Sequence, residues 1–155
     1  MHVREALLQD IVGVTGLIQD FYSEQPLECP PINVERSKAI IGALVAAQAV
    51  DNNAVFLRVI ADDDGGLHGM IIAERVQDLW TDEKVVCEYF IFTSPAQRGT
   101  LCAGRLLLTF KKWAEAERCV IRVSASSGIK DAHAAGVFVK LGWEPRGLLF
   151  GTEVY

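Results

Sequence analysis

The run KVVCEYFIFT at residues 84–93 constrains the fold most, because β-branched and aromatic residues occupy both of its alternating faces. A strand with one face in water alternates apolar and polar residues, whereas a strand covered on both faces is apolar throughout. After Lys84 at its start, Glu88 is the one charged residue in this run. The run therefore predicts a central strand covered by helices, with one carboxylate inside it.

Two further β-rich runs, residues 54–61 and 67–76, come directly before the central run. The sequence DDDGG between them contains the Asp-Gly and Gly-Gly pairs that favour tight hairpin turns. We therefore expect these two strands to pair with each other in antiparallel orientation.

Helical and strand patterns flank this block of three strands. Residues 2–6 predict a short strand, and apolar residues at helical spacing predict a helix over residues 7–22. Asn33 is expected to cap a second helix. The remaining predicted elements are a helix that ends near residue 118, a strand at 120–125, a helix at 132–141 capped by Asp131 and ended by Gly142, and one or two strands in 146–155.

The composition is that of one domain, which we place at residues 1–155. The chain is 50% hydrophobic, which is enough for a layered core, and its net charge of −5 disfavours a general attraction to nucleic acid or to an anionic membrane. Because no apolar run reaches the roughly 18 residues of a membrane span and the N-terminus lacks a signal-peptide pattern, we expect a soluble, cytoplasmic protein. The four cysteines form no CxxC pair, which favours reduced thiols over disulfides or a metal site.

The stretch SPAQRGTLCAGRLLLTF, residues 94–110, follows the central run and leads into a helical pattern. The first N–H groups of a helix have no acceptor within that helix and can bind an anion. Gly99, Ala103 and Gly104 would let a ligand approach the backbone, and Arg98 adds a positive charge that suits phosphate. Taken alone, the stretch is equally compatible with a plain turn that carries an arginine on its rim.

Two segments together resemble a known family. The segment TSPAQRGTLCAGRLLL resembles the pyrophosphate loop of the GNAT superfamily of acyl-CoA-dependent N-acyltransferases, with its pattern (Gln/Arg)-x-x-Gly-x-(Gly/Ala). The segment AAGVFVKLGWEPRG resembles the family's F-Y-x-K-L-G-F segment, and the order of elements also fits. The resemblance implies a mixed α/β fold with a mainly antiparallel twisted sheet, helices on both faces and a central splay between the strand that ends at Thr93 and the strand at 120–125.

The resemblance also implies that acetyl-CoA binds in this splay as the cosubstrate, with no metal. The residues that it assigns to the cofactor are Phe92, Thr93, Arg98, Gly99, Thr100, Leu101, Cys102, Ala103, Gly104 and Phe138. Two of them depart from the family's pattern. Leu101 stands where the central Gly is usual, and Phe138 stands where many members carry the Tyr that protonates the leaving thiolate. Solvent, Tyr89 or Tyr155 could supply that proton, or the reaction needs none, because a CoA thiolate is a fair leaving group.

Glu88 is the candidate catalytic base. A carboxylate among apolar residues is costly without partners, and burial raises its pKa toward the range that a base needs at neutral pH. Many relatives carry a Glu on this strand that takes the proton or orients a water, although Glu88 lies one place from the commonest position. The alternative is a structural ion pair with Arg58 or Lys84 across the sheet.

The resemblance implies an N-acetyltransferase that moves an acetyl group from acetyl-CoA to a primary amine of a small molecule or peptide by direct attack. The alternative is a catalytically degenerate module that binds acyl-CoA, which the departures at Leu101 and Phe138 favour. Tyr22, Glu24 and the PLECPP loop mildly favour a cationic amine, and a second copy of the chain, as a homodimer, is a further partner to consider. A nucleic-acid-modifying relative is disfavoured by the charge, and would need a basic face made of Lys111, Lys112, Arg118, Lys130 and Lys140.

Overall fold

The computed structural model describes residues 1–25, 31–116, 119–124 and 131–145. Their helices and strands follow the predicted order, and two short 3-10 turns, Leu8–Asp10 and Pro95–Gln97, lie between them. The elements are β1 (His2–Glu5), α1 (Ile11–Glu24), α2 (Val34–Val50), β2 (Val55–Ala61), β3 (Leu67–Gln77), β4 (Lys84–Thr93), α3 (Cys102–Glu115), β5 (Val120–Arg122) and α4 (Asp131–Lys140). The strands expected in residues 146–155 lie outside the described residues.

The described strands form one open sheet in the order β1-β2-β3-β4-β5. Neighbours from β1 to β4 are antiparallel, and β5 pairs with β4 in parallel orientation. The predicted hairpin of β2 and β3 is confirmed. In its turn the Asp62 carboxylate accepts hydrogen bonds from the N–H groups of Asp64 and Gly66, and Gly65 takes a φ of 87°. The fold class expected from the sequence, a mixed and mainly antiparallel α/β sheet, is therefore confirmed.

Helices cover both faces of the sheet, as the apolar run of β4 predicts. On one face α3 and α4 pack on the strands, and on the other α1 and α2 do. The first core includes Phe56, Ile71, Val86, Leu106 and Phe110, and the second includes Val14, Ile41, Leu57, Val59 and Met70. Each such side chain contributes about 1.5–3 kcal/mol by leaving water, so both faces hold the sheet in place.

The helix boundaries largely match the sequence signals. The side chain of Asn33 caps α2 by accepting a hydrogen bond of 2.9 Å from the Arg36 N–H, as predicted. The expected cap Asp131 is instead the first residue of α4, and α1 starts at Ile11 because the preceding residues form a short turn. No helix in the described part of the chain has the length and apolar character needed to cross a bilayer.

Gly142 ends α4 as its place in the sequence predicts. Its φ is 87°, a left-handed conformation that favours glycine, and its N–H donates to the Val139 carbonyl at 2.9 Å. The Trp143 N–H donates to the Phe138 carbonyl at 3.1 Å, and the rings of these two residues lie 5.6 Å apart. This pair of bonds with its apolar contact is a Schellman motif, and it fixes the end of α4 against the core.

Candidate functional site

The sheet opens along the second half of β4. The parallel ladder joins Val85 to Val120 and ends where Cys87 faces Arg122. Beyond Cys87, β4 continues to Thr93 with β3 on one edge, and no described strand pairs with its other edge. Peptide groups on such an edge can bind an extended ligand in the way that an added strand would. The described pairing of β4 with β5 therefore ends before the second half of β4, and the splay of the two strands stays a prediction.

A β-bulge lies in β4 at the start of this open half. Ala73 of β3 faces Glu88, whereas its neighbour Ile72 faces Phe90, so Tyr89 is the extra residue of the bulge. Ala73 belongs to the core under α3, and Ile72 belongs to the core under α1 and α2. The bulge therefore changes the alternation, so that Glu88 faces the α3 side while Phe90, two positions on, faces the α1 side.

Glu88 is partly buried at the point where β4 and β5 separate. One of its carboxylate oxygens accepts a hydrogen bond of 3.3 Å from the Ser124 N–H, just beyond β5. Burial raises the pKa of Glu88 to about 7, and the Ser124 N–H opposes this rise. The alternative partner Arg58 is engaged elsewhere, because its guanidinium donates to Glu5 and Asn52. A carboxyl group with this pKa changes protonation near neutral pH, as a general base should.

The loop after β4 forms a tight turn that starts α3. The φ of Gly99 is 81°, whereas Leu101 has a right-handed conformation with a φ of −75°. The position that favours glycine is thus occupied by glycine, and Leu101 fits the turn with its side chain 74% exposed. Ala103 and Gly104 lie in the first turn of α3, where N–H groups have no acceptor within the helix. These groups fit an anion such as a pyrophosphate.

Cys102 and Phe138, both expected at the cofactor, lie in the core on the α3 side. The Cys102 thiol is buried against Met1 and Gln97, so it acts as a small core residue. The Phe138 ring is 9% exposed and packs against Trp143. A contact of either side chain with a cofactor stays a prediction.

Arg98 directs its guanidinium away from α3. Two nitrogens bind the two carboxylate oxygens of Glu24 at 2.6 and 2.9 Å, and Nε donates to the Thr93 carbonyl at 3.3 Å. The Arg98 guanidinium also lies 5.4 Å from the centre of the Phe92 ring, and Phe92 belongs to the core under α1. The sequence suggests that the Arg98 guanidinium contacts phosphate, whereas in the structure it binds the Glu24 carboxylate. Its contact with phosphate stays a prediction.

The sequence gives little indication of the Arg98–Glu24 pair, because 74 positions separate its members. One local signal exists. Glu24 is the last residue of α1, at the negative end of the helix dipole, where an acidic side chain is unfavourable by itself. A carboxylate in that place indicates a cationic partner from another part of the chain.

Tyr22 and Tyr89 are both exposed, at 41% and 55%. Desolvation and the neighbouring Glu74 carboxylate raise the pKa of Tyr89, so its hydroxyl stays protonated at neutral pH. Phe21, the neighbour of Tyr22, packs on Phe90 of β4 with ring centres 4.6 Å apart. Tyr155, the other proposed acid, lies outside the described residues.

A groove of about 360 Å³ lies between the β1–α1 connection and α2, lined by residues that include Leu7, Val45 and Gln48. None of its lining residues belongs to β4, β5 or the loop before α3, so it is separate from the opening described above. Among the described residues, no group of His, Cys, Asp and Glu side chains could hold a metal ion.

Comparison with known proteins finds the same fold. A family model described as the acetyltransferase (GNAT) family matches residues 14–143. A structure from Agrobacterium tumefaciens, described as a candidate acetyltransferase, is 16% identical with a TM-score of 0.74 and covers 99% of this chain and 100% of its own.

Two further solved structures share this fold. The acetyltransferase AAC(6')-Iy, solved with a bisubstrate analog, is 17% identical with a TM-score of 0.72 and coverages of 99% and 98%. An acetyltransferase from Trypanosoma brucei is 14% identical with a TM-score of 0.68 and coverages of 99% and 99%. No curated protein sequence matches the chain.

Proposed function

The chain belongs to the acetyltransferase (GNAT) family, and from this premise we propose that it transfers the acetyl group of acetyl-CoA to a primary amine by direct attack. One observation carries the proposal. Glu88, a carboxyl group whose pKa is raised to about 7, lies where the sheet opens, on the strand that leads into the Gly99 turn before α3.

The loop and the first turn of α3 would hold the pyrophosphate of CoA. The donors would be the backbone N–H groups of this stretch other than those of Thr100 and Cys102, which bond the Gln97 carbonyl and the Thr100 hydroxyl. The positive end of the α3 dipole adds to the attraction. The pantetheine arm would lie along the open edge of β4, beside the peptide groups of Phe92 and Thr93. In support, AAC(6')-Iy has been solved with CoA bound.

Glu88 would take the proton that the amine loses. The attacking amine nitrogen is neutral, having lost its ammonium proton to solvent; it attacks the thioester carbonyl carbon, the C–N bond forms, and the carbonyl oxygen gains negative charge. Collapse of this adduct breaks the C–S bond and releases CoA as a thiolate, while a proton of the adduct nitrogen passes to Glu88 directly or through water. The CoA thiolate is a fair leaving group, so the step proceeds although Phe138 has no proton to donate.

The acceptor would be a cationic amine that enters from the α1 side of the opening. Tyr22, Tyr89 and the Glu74 carboxylate offer aromatic and acidic groups on this side, which suit a positively charged amine. One structural neighbour is described as an aminoglycoside acetyltransferase from an uncultured soil sample. Aminoglycosides, polyamines and peptide N-termini are therefore the first acceptors to test.

A second function, binding of acyl-CoA without turnover, is favoured by one specific observation. The position at which many family members hold an acidic hydroxyl is a phenyl ring in the core, Phe138. A protein that has lost transfer would keep the pyrophosphate turn and lose only the chemistry.

Calorimetric titration with acetyl-CoA, followed by thiol release in the presence of the acceptor panel, separates these functions. Binding with thiol release for at least one amine supports the acetyltransferase. Binding without release for any amine supports the binding module, and no binding at millimolar acetyl-CoA rejects both.

A further inference from the structure

The Arg98–Glu24 pair is built more firmly than a surface ion pair. Its two parallel hydrogen bonds match the fork of the guanidinium to both carboxylate oxygens, and the side chains are only 26% and 24% exposed. The Thr93 carbonyl and the Phe92 ring hold the guanidinium from two further directions. A pair with this geometry restricts the loop, whereas exposed pairs contribute little.

The pair also determines the path of the loop. Phe92, under the guanidinium, faces α1, whereas Cys102, at the start of α3, is buried on the opposite face of the sheet. The chain between Arg98 and Cys102 must cross from one face to the other, and Gly99 with its left-handed φ makes the turn. Holding Arg98 on the α1 side therefore fixes where this crossing begins.

We propose that Glu24 is a positioning residue for the cofactor: through Arg98 it holds the loop so that the N–H groups of Gly99, Leu101, Ala103 and Gly104 are prearranged for the pyrophosphate of CoA. The inference rests on the proposed function, since it names a residue of α1 that serves the same cofactor site. A loop ordered before binding loses less conformational entropy when the ligand arrives, which strengthens affinity.

Charge alone makes the opposite prediction. Replacing Glu24 by Gln removes a negative charge near the binding site of an anion, and it frees Arg98 to bind phosphate. Simple attraction therefore predicts tighter CoA binding in the Glu24→Gln variant, whereas loss of positioning predicts weaker binding. The direction in which the Kd of CoA changes therefore separates the charge explanation from the positioning explanation.

Calorimetry would measure the Kd of CoA for the wild type, Glu24→Gln and a matched control, Glu35→Gln. Glu35 forms an exposed ion pair with Lys38 on α2, so this control removes the same charge from a surface pair on another helix. We expect Glu24→Gln to raise the Kd roughly fivefold, a change typical of lost coupling between neighbouring groups. We expect the control to leave the Kd unchanged.

S-acetylpantetheine, which lacks the pyrophosphate, shows whether the effect is local. Its affinity should be the same for the wild type and Glu24→Gln, whereas general damage to the fold would weaken both ligands. Arg98→Lys keeps the charge and loses the fork, so it should weaken CoA binding as Glu24→Gln does. The double variant should be no weaker than either single one. If Glu24→Gln fails to fold, Glu24→Asp decides, because it keeps the charge and shortens the side chain: weaker CoA binding then supports positioning, and unchanged binding overturns it.

Tighter or unchanged CoA binding by Glu24→Gln, with wild-type binding intact, overturns this inference and leaves the proposed function standing. Equal weakening of CoA and S-acetylpantetheine also overturns it. A wild type that binds no CoA removes the proposed function and this inference together.

Discussion

The two halves of β4 differ in their edges. Up to Cys87 the strand pairs with β3 and β5, and Val85 and Val86 are buried in an ordinary sheet interior. From Glu88 onward β3 is its one partner among the described strands, and this half contains a bulge and a carboxyl group with a raised pKa. The comparison teaches that one strand can combine a rigid part with a part whose peptide groups stay unpaired by any described strand, because the edge shared with β3 holds the chain along its whole length.

The largest effect that we expect is on stability, from a substitution in the half of β4 that pairs with both β3 and β5. Val86 is fully buried, so Val86→Asp should lower the free energy of unfolding by about 3–5 kcal/mol, the cost of an unpaired buried charge. Urea unfolding followed by circular dichroism measures this. Lys84→Asp, at an exposed position of the same half, is the control and should change the unfolding midpoint little. Equal midpoints for the two variants would show that this half is not a tightly packed interior.

In the open half, the expected loss is in activity. Glu88→Gln keeps the shape of the side chain and removes the proposed base, so kcat should fall about a hundredfold while the Kd of CoA stays the same. Steady-state thiol release and calorimetry measure the two quantities. Turnover that equals the wild type would assign the proton to another group and leave Glu88 as a structural residue of the bulge.

The pH dependence of stability tests the environment of Glu88 independently of turnover. Between pH 4.5 and 7 the folded protein keeps a proton on Glu88 that the unfolded chain has released, because burial raises the folded-state pKa from 4.5 to about 7. The unfolding free energy should therefore fall as pH rises through this window, by roughly 2 kcal/mol relative to Glu88→Gln. Urea titrations at several pH values measure the difference, and parallel curves for the two proteins would contradict it.

The smallest effect is expected where the open half leads into α3. Leu101 is exposed and its backbone is right-handed, so Leu101→Gly should alter the unfolding free energy by no more than about 0.5 kcal/mol. Removing the side chain opens the approach to the turn, and the Kd of CoA should fall roughly threefold. Calorimetry measures the Kd of CoA for Leu101→Gly and for a control, Leu108→Ala, which changes a half-exposed residue further along α3. A weaker complex would show that Leu101 contacts the cofactor favourably.

Local signals in the sequence predicted much of this framework. The turn residues DDDGG predicted the β2–β3 hairpin, the apolar run of β4 predicted helices on both faces, and Asn33 and Gly142 predicted helix ends. Each of these features depends on residues close together in the chain, through backbone conformation or side-chain periodicity.

The site was predicted less completely, because its decisive contacts join distant parts of the chain. The bulge at Tyr89 depends on the register between β3 and β4, which the sequence of β4 does not show. The Arg98–Glu24 pair joins residues from two distant elements, and contact of Arg98 with phosphate stays a prediction. The burial of the Phe138 ring in the core likewise depends on groups far away in the chain, and its contact with the cofactor stays a prediction.

By itself the sequence determined the order of the elements, the burial of β4 on both faces and the position of one carboxylate inside it. Only the tertiary structure decided that β5 leaves β4 just before Glu88, that burial there raises the pKa of this residue, and that α1 holds the loop before α3. The physical reason is that periodicity and turn chemistry act over a few residues, whereas desolvation and ion pairing depend on whichever groups the fold brings together.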